Sequence, residues 1–121
     1  MQIALKKQNN GLTMSIIADN AIVARSFWKR FMGLMLKKTF NGFDAMVFPK
    51  CNSIHSFFMM FYIDVVCLNA FGAICNLRKN MRPGGFFIAG RETKTLIEFP
   101  QGTIEKFNIS VGDRLEFVEL T

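Results

Sequence analysis

The alternation of apolar and polar positions along this chain keeps the period of strands except in two short stretches. Residues 13–17 and 21–24 alternate small or β-branched apolar residues with polar ones around Asp19-Asn20, which predicts two short strands joined by a turn. A helix is expected next. Ser26 suits its N-cap, Phe27, Trp28, Phe31, Leu34 and Met35 recur at helical spacing, Arg25, Lys29 and Arg30 form a wet side, and Gly33 marks its end. From residue 41 onward the period is that of strands, expected at 45–48, 53–60, 64–69, 73–78, 86–89, 95–99 and 114–120. Pro83-Gly84-Gly85 reads as a loop, 102–107 as a short helix after Pro100, and Val111-Gly112-Asp113 as a turn.

One connection fixes a register. Asn69-Ala70-Phe71-Gly72 has the Asn start and Gly end of a type I turn with a bulge, making 64–78 a hairpin whose paired residue numbers sum to 142. Cys67 then faces Cys75, and Asp64 faces Arg78 as a cross-strand ion pair worth about 0.2–1 kcal/mol if exposed. Ile63, Val65, Cys67, Cys75 and Leu77 are expected on the core face. Many short strands with two brief helices predict an α+β, mostly β fold: a small, partly open β-barrel-like sheet with one helix in the N-terminal half and one short C-terminal helix.

Composition adjusts this picture in three places. The 121 residues, half of them apolar and including 14 Phe, match one domain over 1–121 that fills its core without disulfide or structural metal. No apolar run reaches the roughly 20 residues of a membrane-spanning helix. The amino terminus carries no leader pattern, so the cytoplasm is the default compartment, with export expected if a signal segment has been removed. Three cysteines without a C-x-x-C pair fit a reducing environment, and Cys67 and Cys75 are expected as free thiols packed like small apolar groups.

Charge is uneven: residues 1–91 carry twelve basic and three acidic side chains, residues 92–121 three and six. Arg25, Lys29, Arg30, Lys37 and Lys38 could contact phosphates, which makes single-stranded nucleic-acid binding through the basic helix an alternative function. The aromatics, however, alternate with apolar rather than basic neighbours, as core residues do, and no nucleic-acid motif is present.

Gly33-Leu34-Met35 after a basic helix, Phe57-Phe58-Met59 followed by Ile63-Asp64-Val65, Asn69 and Gly72, Ile97-Glu98-Phe99-Pro100 with Gly102, and Val111-Gly112-Asp113 fall in an order that covers nearly the whole chain. Together they resemble the bacterial and archaeal family called domain of unknown function 192. The resemblance implies a small β-rich domain and no established catalytic residue, substrate or cofactor. Lys37 and Lys38 stand where that family usually has an Arg, a poor replacement at a bidentate anion site.

The candidate chemistry is spread thinly. His55 follows Cys51 by four residues, but in a strand that separation is roughly 13 Å, too far for a nucleophile and its base. Met35, Met59, Met60, Cys51 and His55 offer soft-metal donors, yet methionines among phenylalanines are better explained by packing, so neither metal nor cofactor is expected. The segment 57–62 is apolar on both faces and could cover a pocket or a partner. The sequence therefore points to a small-molecule or protein-binding module, monomer or weak dimer, with Met35, His55, Met59, Asp64 and Arg78 as ligand-binding candidates. An enzyme with a pocket near His55 and Asp64 is the alternative, to be distinguished by a titratable group with a strongly shifted pKa inside a pocket.

Overall fold

A computed structural model describes residues 2–8, 14–23, 44–55 and 61–119. Strands β1 (Gln2–Gln8), β2 (Met14–Val23), β3 (Ala45–Pro49), β5 (Ile63–Leu68), β6 (Ile74–Met81), β8 (Thr95–Pro100) and β9 (Leu115–Glu119) form one seven-stranded sheet in the order β6-β5-β8-β3-β2-β1-β9. β4 (Ser53–His55) and β7 (Phe86–Ile88) make a separate two-stranded sheet, and α1 (Thr103–Lys106) is the helix among the described residues. The fold is thus mostly β, with an open sheet as expected. The expected helix after Ser26 lies outside the described residues.

The pairing is antiparallel except between β2 and β3, which run parallel with Ala21 opposite Ala45. The two edge strands meet at one end, where Ala73 bridges Arg114, Leu115 N–H donates to the Gly72 carbonyl at 3.0 Å, and Ile74 exchanges bonds with Gly112 and Asp113. The sheet is curled toward closure at this seam without becoming a barrel.

Each inner strand is apolar on both faces because both are covered. One face gathers Leu5, Ile17, Val47, Val66, Leu68, Ile97, Phe99, Ile104, Ile109 and Leu115. The other gathers Met46, Phe48, Ile63, Val65, Cys67, Met81, Phe87 and Leu96. The first set draws on both edge strands and on α1, so it is the inner face of the curl; the second is the outer face.

Four expectations are corrected. Asp19-Asn20 is not a turn: β2 runs through it, because the Asp44 carboxylate accepts both backbone N–H groups, at 2.9 and 3.0 Å. The hairpin turn itself is as expected, with Asn69 Oδ1 accepting from Phe71 N–H and Ala73 N–H and Gly72 at φ 79°. Its register holds only at Leu68 opposite Ile74. A bulge at Cys75 then puts Cys67 opposite Asn76 and Val65 opposite Arg78, and a second irregularity puts Ile63 opposite Met81. Asp64 and Arg78 therefore do not face each other, Cys67 does not face Cys75, and Leu77 packs on the inner face rather than with Cys67.

Candidate functional site

Strand β8 runs from one end of the curl to the other, and the two ends differ. At its carboxyl end, Pro100 leads through Gln101 and Gly102 into α1, which closes that end with Ile104. Asp64 holds this plug in place. Its side chain is only 1% exposed; Oδ2 accepts from Gly102 N–H at 3.1 Å and Ile104 N–H at 2.9 Å, and Oδ1 accepts from Asn80 N–H at 3.0 Å. A carboxylate from a distant strand thus satisfies orphan donors of the helix start, where Gly102 itself offers no side chain. The second irregularity of the β5–β6 register follows from the same contact, since Asn80 adopts φ 55° to aim its N–H at Asp64.

The amino end of β8 is open. Ile3, Val23, Val47, Pro49, Thr95, Phe117 and Glu119 surround a depression of about 360 Å³ there. All belong to the inner-face alternation: Ile3 pairs with Glu119, Leu5 with Phe117, and Pro49 with Thr95. Phe117 is 44% exposed at the rim, and the Glu119 carboxylate and Thr95 hydroxyl are the polar side chains of an otherwise apolar lining. An apolar recess with few polar groups at the mouth of a curled sheet has the form of a small-ligand site.

On the outer face, Glu98 sits at mid-strand between Met46 and Val65. It is 2% exposed, and its Oε2 is buried without a hydrogen-bond partner. Burial alone pushes its pKa well above the usual carboxylate range. Alternation places Glu98 on the face opposite to Asp64, so the two buried acids do not share a site. Glu98 is the strongly shifted titratable group that was to distinguish an enzyme, but it does not line the mouth recess.

The thiols are close neighbours on that outer face. Cys75 Sγ lies 3.6 Å from the Cys67 carbonyl and 3.4 Å from Thr93 Oγ1. Desolvation, aided by Cys75 and Cys51, raises the Cys67 thiol to about 12. Cys67 is therefore expected to resist alkylation by iodoacetamide in the native protein at pH 8, as followed by peptide mass spectrometry, and to react on unfolding. Among the described residues, no three His, Cys, Asp or Glu side chains are grouped to hold a metal ion.

Of the residues singled out from sequence, Met35 and Met59 lie outside the described residues. His55 is in β4, opposite Phe86. Asp64 is bound to α1, while the Arg78 guanidinium lies over the Phe87 ring at 5.7 Å. The structure does not bring Asp64 and Arg78 together. Sequence reasoning missed the mouth and Glu98. Only the second left a signal, an acid set inside the apolar run Leu96-Ile97-Glu98-Phe99.

A curled, mostly antiparallel sheet with an apolar recess at one end and a short helix at the other defines a small, mostly β domain. The chain belongs to the family DUF192, described as Uncharacterized ACR, whose model matches residues 7–117. It is 36% identical over 99 residues to a UPF0127 protein of Thermococcus sibiricus, covering 78% of this chain and 64%, just under two thirds, of that one. A UPF0127 protein of Pyrococcus furiosus is 38% identical over 98 residues, covering 78% of this chain and 83% of its own. The structure also resembles a putative transcription regulator from Sinorhizobium meliloti, with a TM-score of 0.83, 17% identity and coverage of 97% and 94% of the two chains. A protein of unknown function from Novosphingobium aromaticivorans gives a TM-score of 0.77 at 17% identity, covering 93% of this chain and 83% of that one. At such identity these two show the fold alone. No helix among the described residues is long and apolar enough to cross a membrane.

Proposed function

We propose that the domain is a small-molecule-binding module whose ligand enters the open end of the curl. The observation that carries this is the recess of about 360 Å³ bounded by Ile3, Val23, Val47, Pro49, Thr95, Phe117 and Glu119. Its size falls in the range of ligand pockets, roughly 300–1,000 Å³. At the far end Asp64 clasps the short helix, whose Ile104 packs into the inner face, and the proposed ligand enters at the mouth. The ligand is mainly apolar, with one hydrogen-bond donor directed to Glu119. Asp64 serves the fold rather than the ligand, and Arg78 is not among the residues that line this recess.

Nile red, an uncharged hydrophobic fluorophore, tests the recess directly. Saturable blue-shifted emission is expected for the wild-type protein, with affinity at least about tenfold weaker in Thr95→Trp, whose indole would occupy the rim. Far-UV circular dichroism verifies that the variant is folded. Absence of saturable binding, or unchanged affinity in folded Thr95→Trp, would overturn the proposal.

A further inference from the structure

We propose that Glu98 is the recognition group of a second site, on the outer face of the sheet, for a small organic ammonium ion carried on an apolar body. A carboxyl group 2% exposed, with a buried oxygen that meets no donor, is a standing cost to the fold unless something comes to pair with it. Among the described residues the ion pairs are Lys7 with Asp113 and Lys79 with Glu105, and neither involves Glu98. The Arg78 guanidinium, which reaches this face, is stacked on Phe87.

The surroundings fit a cation with a hydrocarbon body. Register puts Met46 and Val65 directly beside Glu98 and Leu96 two residues away, and these belong to the buried apolar cluster that includes Phe48, Met81 and Phe87, with Phe61 packed against it. Aromatic faces attract cations, as Phe87 already does with Arg78, and thioether side chains change rotamer readily enough to admit a guest. A neutral donor could satisfy that oxygen but would not compensate a carboxylate charge. An ammonium instead pairs with the carboxylate while its body packs among apolar side chains. Burial raises the pKa of Glu98 and pairing with an ammonium favours its charged form, so binding is coupled to proton release and affinity rises with pH.

Phenethylammonium chloride and uncharged 2-phenylethanol are the probes, read at pH 8 by thermal unfolding and by calorimetry in two buffers of different ionisation enthalpy. The expected result is a rise of several degrees in the wild-type Tm at millimolar ammonium, with proton release on binding and no response to the alcohol. Glu98→Gln and Glu98→Met should remain folded and lose the ammonium response, while Glu119→Gln keeps it. The inference fails if the wild type does not respond, if folded Glu98 variants respond equally, or if the alcohol matches the ammonium. It also fails if Glu119→Gln alone abolishes the effect, since the ammonium would then be seated at the mouth. Because the two sites lie on opposite faces, failure of Nile red to bind leaves this result unaffected.

Discussion

Replacing Asp64 with alanine is expected to destabilise the protein by about 3–5 kcal/mol, a large loss for one polar side chain. Three backbone donors from two separate segments converge on this carboxylate: Asn80 in β6, and Gly102 and Ile104 at the start of α1. Alanine leaves all three N–H groups without this acceptor, and that of Ile104 is buried. Asp64→Asn keeps the shape but turns one acceptor into a donor that faces an N–H, so it should recover only part of the loss. In urea denaturation the midpoint should fall with little change in slope. A loss below about 1 kcal/mol would mean that the helix start finds other partners, and that Asp64 is not the clasp of the plug.

Glu98→Met is expected to act in the opposite direction, raising stability by about 1–3 kcal/mol at pH 7.5, because an apolar side chain of similar length removes a buried polar group that lacks a partner. The effect depends on pH, and its sign follows from linkage. With the folded-state pKa above the unfolded value, the folded protein holds the extra proton, so wild-type stability declines as pH climbs through the unfolded pKa toward the folded one. Below the unfolded value, roughly pH 4.3, this contribution disappears. The advantage of Glu98→Met should therefore be greatest at neutral and alkaline pH and shrink toward pH 4, as measured by thermal unfolding across that range. Equal gains at pH 4 and pH 7.5 would show that ionisation of Glu98 has no part in it.

These two acids illustrate what the sequence makes legible. The turn at Asn69 to Gly72 is readable because its chemistry is local: an Asn side chain accepting nearby N–H groups and a glycine in the left-handed region. The mostly β character is readable from period, and so is the short helix after Pro100. The register beyond the first pair is not, because each bulge is set by a contact distant in sequence; Asn80 is displaced by Asp64, sixteen residues away. For the same reason the sequence of β2 reads as interrupted, since the carboxylate that keeps Asp19 and Asn20 extended belongs to Asp44. β1 leaves no sign of itself: Lys6 and Lys7 look like a wet terminus, yet Lys7 is buried and pairs with Asp113 at 3.6 Å. The mouth recess is assembled from residues of β1, β2, β3, β8 and β9, which no local pattern connects.

The seam between Ala73 and Arg114 bears on a hazard every open sheet carries, the addition of a strand from another molecule. β6 presents Arg78 and Lys79, whereas β9 presents Glu116 and Glu119, so the two edges carry opposite charge. Left apart, a basic edge and an acidic edge would invite copies of the chain to join head to tail without limit. Here the bonds that Ile74 exchanges with Gly112 and Asp113, and that Leu115 makes to Gly72, use up the facing ends of both edges within one molecule. Backbone groups at those ends are satisfied within the molecule and are not offered to another copy.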